Sequence, residues 1–336
     1  GYVPSPGPDE DLIRAPNGAA FRREPGILPE ILQRLFPRRE AAKQSGDALT
    51  SQAIKILMNS FYGVLATPAC RFYSSPVANA ITHFGQSILL WAKRHMEEAG
   101  HRVLYGDTDS LFVESNTATA EYALRVGREL ADGINRDLAK HIFATYRVAS
   151  RLELEFERLY VKLFLPAMRH STAGARKRYA GWVDEGGKLQ VVFVGMESVR
   201  SDWTELSKEF QQGLYERVFR GEPLEEFIRE FVEALRAGQR DDLLVYRKSL
   251  RKPLSEYTET TPPHVKAARL LPSPPGRRIA YVMTLAGPQP EGFLDSPIDY
   301  DHYLEKQLEP IADTLLSHLG TSFAAMMGRE RQMELF

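Results

Sequence analysis

His101-Arg102-Val103-Leu104-Tyr105-Gly106-Asp107-Thr108-Asp109-Ser110-Leu111-Phe112-Val113-Glu114 is the run from which the architecture of this chain can be read. Val103 and Tyr105, then Leu111 and Val113, alternate with other residues, as in strands with one buried face. Between them Gly106 to Ser110 is a cluster of turn formers. The pattern predicts a β-hairpin whose tip carries two carboxylates. Asp107 and Asp109 are two apart, so in extended chain they share a face. Two acids held together on a rigid tip repel each other unless a cation lies between them. Hard oxygen donors of this kind suit Mg²⁺, which one or two carboxylates hold together with substrate phosphates. An ordinary Asx-rich turn, in which the acids only satisfy backbone donors, has the same residues.

The surrounding chain has 336 residues, 43% hydrophobic and 26% charged, which is ordinary globular composition with room for two or three domains. A single cysteine, Cys70, excludes an internal disulfide framework and fits a reducing compartment. No apolar run approaches the ~18 residues of a membrane span, so no membrane partner is expected. Gly1 to Asp11 has neither a basic nor an apolar signal-peptide region. The net charge of −1 is unevenly spread: Arg236–Arg278 holds ten Lys/Arg against four Asp/Glu, and Ile279–Phe336 three against nine. Clustered positive charge is the footprint of a phosphate-rich partner, although a solvated basic face has the same composition.

Gly1 to Gly26 reads as irregular chain. Leu28 to Gln44 has helical spacing through Ile31, Leu32, Leu35 and Phe36, with Pro37 as a point of kinking. Arg39 and Lys43 are four apart and project from one face. Asp47 is a candidate N-cap for a second helix over Ala48–Tyr62, giving an antiparallel helical pair. On that second helix Ile54, Leu57, Met58 and Phe61 form a packing stripe. Lys55, Asn59 and Tyr62 form a polar stripe rotated by about one residue, roughly 100°. A polar stripe of this kind suits a ligand surface, and equally an exposed side bearing a chance lysine. Helices are expected from Ser74-Ser75-Pro76 to Ala99 and from Ala120 to His141 or Tyr146. Arg151 to Phe164 alternates as a strand, with Glu153, Glu155 and Glu157 on one face. Arg176–Val183 and Lys188–Val194 read as a hairpin, Glu205–Arg220 and Leu224–Ala237 as helices, Ile279–Leu285 as a strand, and Tyr300–Met327 as helical.

The order of three motifs resembles DNA polymerase family B, and especially its bacterial members. These are Lys55-x-x-x-Asn59-Ser60-x-Tyr62-Gly63, then Tyr105-Gly106-Asp107-Thr108-Asp109-Ser110, then Lys177-Arg178-Tyr179. Thr67 to Phe72, Tyr246 to Tyr257 and Pro262 to Arg269 extend the resemblance over essentially the whole chain. It implies an α+β fold, a partial polymerase right hand with an antiparallel palm sheet, helical-hairpin fingers and a mainly helical thumb. On this reading residues 1–27 connect palm to fingers as irregular chain, 28–69 are the fingers pair, 70–200 the palm, 201–331 the thumb and 332–336 a clamp-binding tail.

The resemblance also implies roles. Asp107 and Asp109 match the catalytic, metal-binding acids of a two-Mg²⁺ site, and Glu157 a nearby third carboxylate. Arg39, Lys43 and Lys55 match cations that meet the triphosphate of an incoming dNTP, while Asn59 and Tyr62 match residues facing the nascent base pair. Lys177 and Tyr179 match a pair that grips primer–template DNA, and Arg200, Lys248, Arg251, Lys252 and His264 lie where the family holds duplex phosphates. Gln332, Leu335 and Phe336 resemble the anchors of a peptide that binds the bacterial sliding clamp.

The family's Asp-x-x-Ser-Leu-Tyr-Pro strand, which supplies the other metal-binding aspartate, does not occur in this sequence. The chain is therefore expected to be the C-terminal portion of a bacterial, cytoplasmic, nucleoid-associated polymerase, inactive by itself. A non-catalytic DNA-binding and clamp-docking module is the alternative. A Mg²⁺-dependent phosphohydrolase would share the acids but leaves the Lys55 stripe unexplained.

Overall fold

The computed structural model describes residues 1–7, 11–24, 26–166, 177–258, 261–273 and 276–328. Contacts divide the chain into two units, Gly1–Glu157 and Arg158–Phe336. That division falls inside the span expected to be palm.

The first unit begins with a small antiparallel sheet of order β1-β3-β2, from β1 (Tyr2–Val3), β2 (Leu12–Arg14) and β3 (Ala20–Arg22). The residues of this stretch predict irregular chain, and the strands are a correction to that expectation. The strands are two or three residues long, too short for a visible period. Their turn is closed by Gly18, at φ +86°, in the left-handed region that suits glycine.

Two long helices follow, α1 (Ile27–Gln44) and α2 (Ala48–Ala66), packed as a hairpin. Asp47 caps α2 as expected, accepting from the Thr50 N–H at 3.0 Å. α1 runs on through Pro37, and α2 passes Gly63 to reach Ala66. α3 (Ser75–Glu98) ends before Gly100 and leads into β4 (Val103–Asp107) and β5 (Ser110–Val113). These pair antiparallel, with a register shift between Val103 and Tyr105. α3 packs against α2, against both hairpin strands and against α4 (Ala120–Tyr146). The α3–α4 contact holds Trp91 between His95 and His141, each ring stacked at 4.8 Å.

The strand expected over Arg151–Phe164 is a correction. Only β6 (Lys162–Phe164) is strand, and residues 151–160 have no regular structure. Alternation survives in part: Leu154 and Phe156 are half-buried and the three glutamates exposed. The chain finds a side chain where a sheet neighbour was expected. Asn135 on α4 accepts from the Leu154 N–H at 2.8 Å and donates to its carbonyl at 2.9 Å. Phe156 lies against Gly127 of α4, where a Cβ would overlap its ring.

The second unit holds a sheet of order β6-β7-β8, from β6, β7 (Tyr179–Glu185) and β8 (Lys188–Val194). Gly186 and Gly187, both at positive φ, turn β7 into β8, as a two-residue hairpin loop requires. Behind it lie α5 (Glu205–Arg220) and α6 (Glu225–Arg236). β9 (Tyr246–Ser249), α7 (Pro263–Arg269), β10 (Arg278–Thr284) and β11 (Gly287–Pro290) follow, with sheet order β11-β10-β9. The helical run from Tyr300 is not uniform. α8 (Tyr300–Tyr303) passes through a π-helical stretch, Leu304–Leu308, into α9 (Glu309–Leu316), and Gly320 at φ +74° separates α10 (Phe323–Met326).

One apolar core spans these elements, with Phe210, Leu214, Ile228, Leu308 and Ile311 fully buried. Tyr303 is buried and satisfied, donating to the Leu244 carbonyl and accepting from the Met283 N–H, both at 2.9 Å.

Candidate functional site

The acidic tip is built by a two-residue turn. Asp107 ends β4 opposite Ser110, and Thr108-Asp109 form the loop. Thr108 sits at φ +51°, unusual for a β-branched residue. Its hydroxyl donates to Asp107 Oδ1 at 2.9 Å. The Asp109 N–H donates to the Asp107 carbonyl at 2.5 Å, and the Ser110 hydroxyl to the same carbonyl at 3.2 Å. Asp107 is half-buried and Asp109 exposed. The two acids are thus adjacent at the apex, but across a turn rather than along one extended strand. Tyr105 and Phe112 stiffen the base of the hairpin, with ring centroids 5.5 Å apart.

Two oxygen-donor side chains at a hairpin tip are a donor set that fits a hard divalent cation sharing its remaining positions with phosphate and water. Among the described residues no group of three or more His, Cys, Asp or Glu is placed to hold a metal ion. Asp107, Asp109 and Glu157 therefore do not gather into one cluster in this structure.

The helical hairpin presents the cationic stripe. On α2, Ile54 is buried and Met58 and Phe61 half-buried, while Lys55, Asn59 and Tyr62 are exposed. Leu57, expected to pack, is itself exposed. On α1, Lys43 is exposed and ion-paired with Glu40 at 3.0 Å. Arg39 is half-buried, and its Nε has no hydrogen-bond partner among the described residues. α3 is the common support, since it touches both α2 and the acidic hairpin. Its lower end is tied to α4 by His95 Nε2 and Asp137, 3.1 Å apart. Lys140 and His95 hold the Asp137 carboxyl below its usual range.

In the second unit Lys177 is exposed, at φ +57°, and Tyr179 opens β7 half-buried. Arg178, between them, pairs with the buried Glu197. Arg200 forms a two-point contact with Asp202, at 2.9 and 2.7 Å, and Lys248 approaches the same carboxylate at 3.7 Å. The hydrogen bonds from Arg200 and the charge of Lys248 lower the Asp202 pKa. His264 is pushed down by burial first, then by Lys248 and Arg251. Tyr257 organises the rest of this patch. Its hydroxyl accepts from the Arg251 N–H at 3.1 Å, the Lys252 ammonium lies 4.8 Å over its ring, and His264 meets that ring edge-on at 6.4 Å. The structure therefore brings Arg200, Lys248, Arg251, Lys252 and His264 into one basic belt.

Asp202 and Tyr257 are the parts that sequence reasoning did not pick out. Tyr257 stood among the basic residues as a visible signal, whereas nothing local pairs Asp202 with Lys248. Gln332, Leu335 and Phe336 lie outside the described residues. No helix among the described residues is long and apolar enough to cross a membrane.

Comparison with known proteins adds four findings. The model of DNA polymerase family B matches residues 7–322. The chain is 44% identical to DNA polymerase II of Escherichia coli K12 over 92% of its own length and 41% of that protein. It is 33% identical to DNA polymerase 2 of Aeropyrum pernix over 97% of its length and 41% of that relative. A solved structure of the family B DNA polymerase from Pyrobaculum calidifontis superposes with a TM-score of 0.64 at 28% identity, covering 96% of this chain and 42% of that one. The chain thus spans about two fifths of the length of the relatives it matches.

Proposed function

The chain belongs to DNA polymerase family B, and on that premise we propose that it carries part of the machinery of template-directed DNA synthesis. The observation that carries this reading is α3, which supports both the Asp107/Asp109 apex and the Lys55 helix. In this reading α1 and α2 are fingers, the hairpin and the β6-β7-β8 sheet belong to the palm, and the elements from α5 onward form the thumb.

Lys55, with Arg39 and Lys43, binds the triphosphate of a dNTP and offsets the charge that moves to the leaving pyrophosphate. Arg39 Nε, buried without a partner among the described residues, is a donor suited to a phosphate oxygen. Asn59 and Tyr62 face the nascent base pair. Asp107 and Asp109 would hold Mg²⁺, which when bound lowers the pKa of a primer hydroxyl and neutralises phosphate charge. Lys177, Tyr179 and the Arg200–His264 belt grip the duplex by its backbone, which positions DNA without reading its sequence. A C-terminal clamp-binding tail through Gln332, Leu335 and Phe336 completes the proposal.

Two carboxylates are a partial metal site, which supports a chain that binds primer–template without extending it. Primer extension and duplex binding by residues 1–336 test this. Binding without extension is expected. In a longer parent, Asp109→Ala should abolish extension and change duplex affinity less than about twofold. Robust extension by residues 1–336, unaffected by Asp109→Ala, would overturn both the site and the reading.

A further inference from the structure

The Lys177–Tyr179 segment is held from below by a buried polar network. Arg178 donates through Nη2 to Glu197 Oε1. Gln211 of α5 donates to Glu197 Oε2 at 2.9 Å, and its own Oε1 accepts from the Ser198 N–H at 2.7 Å. Both oxygens of a carboxylate that is 7% exposed are therefore occupied. Beneath them the Tyr215 ring is fully buried, and its hydroxyl has no hydrogen-bond partner among the described residues. Burial and the Glu197 charge both raise the pKa of that hydroxyl.

Strand geometry connects this network to the surface. Alternate residues of a strand share a face. Ala180 and Trp182 pack into the apolar core of the second unit, and Arg178, just before β7, is held on the same side by its pair with the buried Glu197. Tyr179 and Gly181 belong to the other face, where Tyr160 lies over Gly181 and meets Tyr179 edge-on at 6.0 Å. An arginine drawn inward by a buried acid fixes the phase of the segment. A slip of one residue would exchange the faces of Arg178 and Tyr179.

We propose that Glu197 is a positioning residue for duplex binding: by drawing Arg178 into the core it sets Lys177 and Tyr179 toward the DNA backbone. This rests on the proposed role of Lys177 and Tyr179 in gripping primer–template.

The test is the salt dependence of binding to a fluorescein-labelled primer–template hairpin, read by anisotropy in a KCl series with residues 1–336. Each phosphate contact contributes about 0.9 to the slope of log affinity against log salt. Lys177→Met should lower the slope by about one. Glu197→Gln should lower it equally, weaken binding on the order of tenfold, and add no further slope loss when combined with Lys177→Met. Removing an acid near DNA would otherwise tighten binding, so the sign alone discriminates. A purely structural role would reduce the folded fraction and leave the slope unchanged. Should Glu197→Gln fail to fold, Glu197→Asp keeps the charge but withdraws the carboxylate from Arg178, and is expected to lower the slope in the same direction. A full slope in whichever of these variants folds overturns the inference while Lys177→Met still acts. No slope loss in Lys177→Met, or no duplex binding at all, removes the underlying grip and the inference with it.

Discussion

A Cβ placed on Gly195 would overlap the carbonyl oxygen of Lys177. Both residues have left-handed backbone, at φ +62° and +57°. The close approach allows the end of β8 to sit beside the entry to β7, with Tyr179 in register with Val194. Gly195→Ala would have to move that carbonyl and also hold alanine at positive φ. It should lower the stability of the second unit by about 2–3 kcal/mol. Urea unfolding followed by tryptophan fluorescence measures this, and an unchanged midpoint would show that the segment relaxes freely.

Thr108 is strained where glycine would not be. A non-glycine residue in the left-handed region costs roughly 1–2 kcal/mol, and glycine's extra unfolded-state freedom returns roughly half of that. Thr108→Gly should therefore stabilise the hairpin by about 0.5–1 kcal/mol. Hydrogen exchange at the Tyr105 and Phe112 amides reads the change. Faster exchange would mean that the hydroxyl bond to Asp107 outweighs the strain.

Asn135 substitutes for a missing strand neighbour by serving both backbone groups of Leu154. Alanine there leaves a half-buried N–H and carbonyl without that partner, at a cost of about 2 kcal/mol. Thermal unfolding of Asn135→Ala against the parent checks it. Loss confined to residues 151–157 in exchange experiments would locate the effect.

His264 should titrate below its ordinary value of 6.5, because burial, Lys248 and Arg251 disfavour its charged form. The unfolded chain then takes up the proton at higher pH than the folded one. The contribution to stability is present above the unfolded pKa and is lost as pH falls through the folded one. Lys248→Met should raise the His264 pKa toward 6.5, and phosphate binding beside the ring should also raise it. NMR titration of the imidazole protons measures both. No upward movement in Lys248→Met would separate the two groups electrostatically.

Local order was legible from residues alone. The Val103–Val113 hairpin and the Asp47 cap follow from patterns a few residues long, and each is where the pattern put it. The same local logic failed at Tyr2–Arg22, where the strands are too short to show a period. It failed again at Arg151–Tyr160, where alternation marked a half-buried face but could not supply a partner strand. A strand needs a neighbour to satisfy its backbone, and that neighbour is not written in its own residues.

The sequence by itself therefore determined the family, the long helices and the identity of the charged stripe and acidic apex. Periodicity and motif spacing are short-range properties, and these features depend on nothing else. Only the tertiary structure joined Arg178 to Glu197, Asp202 to Lys248 and Asn135 to Leu154. Those pairs form where burial of the apolar faces brings residues distant in sequence together. Packing then decides which distant polar groups are left close enough to need each other.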